Sequence, residues 1–277
     1  MLIKYSRAIL EKSIIKFSKK GKVKTTDQLV VEEPLEIRLR FFQRKKWQNK
    51  SLAVTMRTPD NDVDLALGFL FTEGILANKK SIDKIIAVED NVLLVRLLKN
   101  IQIDLPSLER NFYATSSCGI CGKASIDKLE KVSCFFPEKN LPKVRSGTII
   151  NLPALLRNQQ SLFEETGGIH AAGLFTPDGQ LIAQSEDVGR HNAVDKLIGA
   201  CLQNDLIPLR QHLLMLSGRV GFELVQKAVM AGIPIIAAVG APSSLAVELA
   251  EESGMTLIGF LREERFNVYC GEERIIY

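Results

Sequence analysis

The sequence predicts an α/β protein, with a C-terminal layer of alternating strands and helices preceded by a smaller N-terminal α+β unit. Three observations carry this prediction. From residue 150 onward, short apolar runs alternate with amphipathic stretches of about ten residues, the pattern of a sheet covered by helices. Before residue 110, runs of period two surround a single apolar helical stretch. Between them, residues 111–148 are rich in Gly, Ser and Pro and read as a connector. The organisation is therefore a basic tail over 1–28, an α+β unit over 29–110, the connector over 111–148 and an α/β unit over 149–277.

In the first unit, Leu35 to Phe41 alternates apolar and charged residues, and Leu52 to Arg57 is a second such run. Thr58-Pro59-Asp60-Asn61-Asp62 is turn and helix-start chemistry. Val63, Leu65, Ala66, Leu67, Phe69 and Leu70 form the helix body, and Gly74 marks its end. Strands follow at 82–89 and 91–98 around Glu89-Asp90-Asn91. Beyond the connector, a helix is predicted at 152–165, ending at Gly167-Gly168. A hairpin of Ala171 to Thr176 and Leu181 to Gln184 turns at Pro177-Asp178-Gly179. The next helix puts Ala193, Val194, Leu197, Ile198 and Cys201 on one face. Strands at 213–217, 234–239 and 255–261 then alternate with helices at 221–231 and 243–253. If the strands are parallel, the junctions 186–192, 217–223 and 240–245 share one sheet edge. Open α/β folds bind ligands at such an edge, and helix N-termini there offer N–H groups to phosphate.

Composition narrows the class. A hydrophobic content of 46% with 25% charged residues describes a globular protein, not a disordered one. Aromatics at 6% disfavour a nucleic-acid stacking surface. The net charge of +4 is unevenly spread: residues 1–24 hold eight Lys or Arg and one acid, Glu11, so the remainder carries 4 − 7 = −3. Residues 38–50 add Arg38, Arg40, Arg44, Lys45, Lys46 and Lys50 without an acid. These segments read as a solvated arm and hairpin, or as an electropositive rim for a phosphate-bearing ligand or an acidic partner. Five cysteines with one close pair make no disulfide framework and fit a reducing cytoplasm. The longest apolar stretch, Ala228 to Val239, is broken by Gly232 and Pro234 and is too short for a bilayer. A cytoplasmic protein is expected, with neither a membrane nor nucleic acid as partner.

Two motifs carry chemistry. Ser116-Ser-Cys-Gly-Ile-Cys-Gly122 sets Cys118 and Cys121 between glycines. A structural zinc site lacks its second pair of ligands. A thioredoxin-like dithiol normally opens a helix within a βαβ unit. A persulfide carrier needs an exposed, mobile thiol of lowered pKa. The stretch Glu186 to Asn192 gathers Glu186, Asp187, Arg190 and His191, either as a helix cap with an Asp187–Arg190 ion pair or as an anion-binding, acid/base site. Arg219 either pairs with Glu223 along a helix or meets an anion at its start. His170, in Gly167-Gly-Ile-His-Ala-Ala-Gly173, resembles the His-Ala-Glu element of zinc nucleobase deaminases. Ala172 replaces the proton-transferring Glu, however, and the cysteine pair precedes the histidine, so no metal is expected.

Taken together, these motifs resemble the formate dehydrogenase accessory sulfurtransferases, the FdhD family, from about Val30 to Tyr269. The resemblance also rests on Thr58-Pro59, Leu67-Gly-Phe-Leu-Phe-Thr-Glu-Gly74, Thr166-Gly-Gly-Ile-His-Ala-Ala172 and Glu186-Asp-Val-Gly-Arg-His-Asn-Ala-Val-Asp-Lys196. Ser217-Gly-Arg219, Ala241-Pro242, Leu245-Ala-Val247 and Thr256-Leu-Ile-Gly-Phe260 complete it. It implies a sulfur carrier that takes sulfur from a cysteine desulfurase as a persulfide on Cys118, with Cys121 as its companion. The recipient it implies is the molybdenum cofactor, as the bis(molybdopterin guanine dinucleotide) form, before insertion into formate dehydrogenase. It also implies cofactor contacts along Phe260, Leu261, Arg262, Glu263, Glu264 and Arg265, and a C-terminal half like the cytidine-deaminase fold. From the junction argument, Asp187, Arg190, His191 and Arg219 join that cofactor site. The alternative is a non-catalytic binding module for guanine nucleotide or nucleic acid. The oligomeric state, a homodimer included, stays open.

Overall fold

The basic stretch expected as a tail is a β-hairpin in the computed structural model, which describes residues 8–103 and 135–277. β1 (Ile9–Ser18) and β2 (Gly21–Val30) pair antiparallel along their whole length, and most of their side chains are exposed. β-Branched residues and lysines mixed along both strands suit an extended ribbon whose lysines are exposed.

β3 (Glu33–Gln43), β4 (Lys46–Arg57), β5 (Ile82–Glu89) and β6 (Val92–Leu97) form a sheet of order β4-β3-β6-β5, with β3 and β6 parallel. The period-two pattern puts Leu35, Ile37, Leu39 and Phe41 on the buried face. α1 (Asp62–Thr72) closes that face with Leu65, Ala66 and Leu70. The Arg57 guanidinium grips the Asp62 carboxylate through Nε at 2.7 Å and Nη2 at 3.0 Å, fixing the helix start.

The single helix predicted at 152–165 is two. α2 (Ser146–Arg157) starts earlier and holds Pro153 inside it, whereas a proline more often opens a helix. α3 (Ser161–Thr166) starts afresh because Glu186 accepts the Leu162 and Phe163 amides at 3.1 and 3.0 Å.

The larger sheet contains β8 (His170–Phe175), β9 (Leu181–Asp187), β10 (Leu213–Leu216), β11 (Ile235–Ala238), β12 (Thr256–Gly259) and β13 (Asn267–Cys270), in the order β13-β12-β11-β10-β8-β9. β10, β11 and β12 are parallel, and β8 runs against both its neighbours. β9 therefore points the same way as β10 to β12, and their C-terminal ends share one edge with the start of β8. The exposed edge strand β13 is absent from the sequence reading, as is the pairing of β7 (Val144–Arg145) with β14 (Ile275–Ile276), which ties the chain's last residues to the start of α2.

α4 (Arg190–Gln203), α5 (Phe222–Ala231) and α6 (Ser244–Glu252) cover one sheet face, where Leu197, Val225 and Leu249 meet Leu174, Leu214 and Leu257. α2 covers the other with Ile149, Leu152 and Leu156. The two units are not separate bodies, for α1 lies directly on α4. A Cβ on Gly68 would fall 1.8 Å from the Asp195 carbonyl oxygen, and one on Gly199 1.9 Å from that of Asp64. Among the described residues, no helix is long and apolar enough to cross a membrane.

Candidate functional site

Strand direction brings the predicted junctions to one place. β9 ends in Glu186 and Asp187, Ser217 to Arg219 follow β10, Gly240 follows β11, and Phe260 to Arg262 follow β12. His170 opens β8 at the same edge. A cavity of about 420 Å³ lies there, with Arg157, Gln160, Phe163, Gly168, His170 and Ser217 in its lining. Gln160 was not anticipated; it is buried, and its Nε2 has no hydrogen-bond partner.

Burial first, then Arg190, His191 and Arg219, hold the His170 imidazole below its ordinary value, so it is neutral near pH 7. The glycine at 218 makes room for it: a Cβ there would stand 3.2 Å from His170 Nδ1. Ser217 Oγ accepts the Ala171 amide at 2.9 Å and locks β8 to the end of β10. His191 Nε2 lies 3.0 Å from Glu223 Oε2, and this hydrogen bond is the main reason the Glu223 carboxyl sits below its usual range. Glu223 thus serves His191 on the neighbouring helix, while Arg219 lies ahead of the helix that carries Glu223. Arg190 and Arg219 are exposed at the edge.

The 260–265 segment divides by environment. Phe260 is 44% exposed and takes a left-handed backbone, φ +52°, while its amide bonds Gly240 O at 3.1 Å. A bulky residue in that region costs energy, and here it turns the ring outward at the strand end. The Leu261 side chain, expected at the cofactor, is instead buried in the core, which leaves only its backbone for contact. Arg262 Nη1 donates to the Val239 and Leu261 carbonyls at 2.7 and 2.9 Å, anchoring that guanidinium over the end of β11. Glu263, Glu264 and Arg265 are exposed in a turn closed by the Arg262 amide on Arg265 O.

Asp187 has a different role from the one its motif suggests. It is fully buried, and Lys196 Nζ at 2.8 Å takes the place expected for Arg190. The amides of Thr58 and Gly189 and the Asn192 Nδ2 complete its shell at 3.2, 2.8 and 3.0 Å. Lys196 also donates to Thr58 O, and Asn192 to Met56 O. Lower on the same helix, Asp195 meets Lys227 at 2.9 Å and Thr72 Oγ1 at 2.8 Å. Burial works against the Lys227 ammonium, but Asp195 and Glu73 outweigh it and hold its pKa above the ordinary value. Much of the 186–196 motif therefore cements the two units. The available signal was Asp195-Lys196 interrupting the apolar run of Ala193-Val194 and Leu197-Ile198.

Cys118 and Cys121 lie outside the described residues. Of the described cysteines, burial pushes the Cys201 thiol up to about 12 and the Cys270 thiol up to about 11. Neither offers a thiolate at neutral pH. No group of three or more His, Cys, Asp or Glu able to hold a metal occurs among the described residues.

The strand ends of this mixed α/β scaffold thus carry Arg190, His191, Arg219 and Arg262 on the same sheet edge as a cavity whose lining includes Arg157 and His170, a cationic edge of the kind that suits anions. Comparison with known proteins makes the class definite. The chain belongs to the FdhD/NarQ family, whose model matches residues 30–276. The sulfur carrier protein FdhD of Streptomyces coelicolor is 51% identical over 260 residues, covering 90% of this chain and 89% of that protein. The protein of the same name from Streptomyces avermitilis is 50% identical over 259 residues, with the same coverage. In structure, the chain resembles a crystallised Desulfotalea psychrophila protein assigned as a candidate formate dehydrogenase accessory protein. Its TM-score is 0.74 at 25% identity, covering 97% of this chain and all of the other.

Proposed function

We propose that this chain is a sulfur carrier that receives sulfur from a cysteine desulfurase on Cys118 and delivers it to the bis(molybdopterin guanine dinucleotide) molybdenum cofactor, ahead of formate dehydrogenase maturation. In the first step the Cys118 thiolate attacks the terminal sulfur of the donor's persulfide. The new S–S bond forms as the donor's S–S bond breaks, and the donor cysteine leaves as a thiolate, with no net redox change. Cys121 stands close enough in sequence to share or resolve the persulfide.

The observation that carries this reading is family membership across residues 30–276, joined to the cluster of His170, His191, Arg190, Arg219 and Arg262 at one sheet edge. The cofactor's phosphates suit that edge, because guanidinium forks and helix N-termini both bind phosphate oxygens. Phe260 presents a ring beside them for the guanine or pterin. The likeness of the C-terminal half to the cytidine-deaminase fold belongs to this reading too, as the ancestry of a nucleotide pocket that has lost its deaminating Glu at Ala172. The test is intact mass after incubation with cysteine and a desulfurase. A single sulfur adduct is expected, lost in Cys118→Ala and kept in Cys134→Ala. An adduct that survives Cys118→Ala and Cys121→Ala alike rejects the assignment.

A further inference from the structure

The outer face of the four-stranded sheet holds cations that the sheet-edge site does not use. The register sets Arg40 of β3 beside Arg96 of β6, and Arg96 opposite Lys84 of β5. Three like charges therefore stand in one row across three strands, an arrangement that destabilises a sheet left to itself. Asp83 pairs with Arg96, and Glu36 neutralises Arg38 higher on the face at 2.6 Å. The Arg40 Nε, in contrast, is buried without a hydrogen-bond partner. At the end of the row, Phe42 and Trp47 face each other across β3 and β4, ring edge to ring face at 5.5 Å. The Arg40 and Arg96 guanidiniums stand 5.5 and 5.8 Å from the Trp47 centroid, and Lys99 Nζ 4.6 Å from that of Phe42. The hairpin tip adds exposed Arg44, Lys45 and Lys46.

We infer that this face docks an acidic segment of a partner protein. Charge complementarity selects an anion, and the rings select its kind. Trp47 and Phe42 already carry cations against them, which holds those N–H groups in place for carboxylates, and two rings locked edge to face at 5.5 Å make no platform for successive stacked bases. The inference goes beyond sulfur transfer, since it concerns binding and stands or falls by binding alone.

The test titrates the full chain with a fluorescein-labelled peptide of ten glutamates and, in parallel, with a ten-residue oligo-dT. Saturable peptide binding is expected at about 50 mM salt, fading as salt rises. The double variant Lys84→Glu/Lys99→Glu should weaken it by at least about tenfold, since reversed rim charges repel the approaching anion. Lys16→Glu/Lys22→Glu in the equally cationic β1–β2 hairpin should leave it unchanged. All four lysines are exposed, so the variants fold, and circular dichroism verifies this. No peptide binding, equal loss from the β1–β2 variant, or tighter oligo-dT binding abolished by Trp47→Ala would each overturn the inference.

Discussion

At the scale of single residues, the 186–196 motif shows how one stretch serves two ends. Arg190 and His191 face the sheet edge, whereas Asp187, Asn192, Asp195 and Lys196 turn inward and hold the N-terminal unit. Lys196→Met should therefore destabilise the fold by about 3–5 kcal/mol, because it strands the Asp187 carboxylate without its counter-ion. Urea unfolding measures this, and Glu223→Gln, which loosens an exposed pair with His191, should cost far less. His170 makes a pH prediction whose sign follows from burial. Its folded pKa lies below the ordinary imidazole value, so below that value the unfolded chain binds protons more readily. The His170 contribution to stability must then fall as pH drops from about 7.5 to 5.5, and His170→Gln should remove that part of the slope. Unfolding free energies for both proteins at the two pH values decide it; parallel slopes reject it.

At the scale of elements, the contact between α1 and α4 decides how the units sit together. Two glycines, Gly68 and Gly199, let the helix backbones touch, and the obstacle to any larger residue is main chain, which has no rotamer to escape into. Gly199→Ala should cost more than about 3 kcal/mol or prevent folding, well beyond the usual overpacking penalty. Thermal unfolding of Gly199→Ala beside Gly147→Ala, where a Cβ meets nothing, gives the comparison. Element types were readable where a hydrophobic period reports them directly, but not in the largely exposed strands β1, β2 and β13, which bury no apolar stripe. The helix break at 158–160 was not, since it depends on a carboxylate from Glu186, 24 residues from Leu162.

At the scale of the whole molecule, four junctions distant in sequence become one surface only because β9 to β12 point the same way. Under the proposed function, GDP, as a fragment of the cofactor, should bind there. Each charge-assisted contact is worth about 1.5–3 kcal/mol, so Arg190→Ala, Arg219→Ala or Arg262→Ala should each weaken it by roughly 10- to 150-fold. Arg262 should fall at the lower end, because part of its guanidinium is committed to backbone carbonyls. Calorimetry reads the affinities, and three wild-type values would move the site away from this edge.

By itself the sequence determined the α/β class, most of the strands and helices between residues 33 and 259, the three junctions and the family resemblance. Each of these is written in local pattern: period two or 3.6, glycine at a turn, a run of motif residues in order. It also marked Cys118 and Cys121 for sulfur and the 38–50 segment as a cationic surface. Tertiary structure decided which of the motif's charged residues face solvent and which face the core. Asp187 and Arg190 look like an ion pair three residues apart, yet Lys196 and the Thr58 amide reach Asp187 first. It likewise put the Leu261 side chain inside, turned Phe260 out, and lined up Arg40, Arg96 and Lys84 from three strands. The physical reason is the same in each case. A buried charge or a cross-strand row is fixed by partners remote in the chain, and the energy of desolvating it is set only once those partners are assembled.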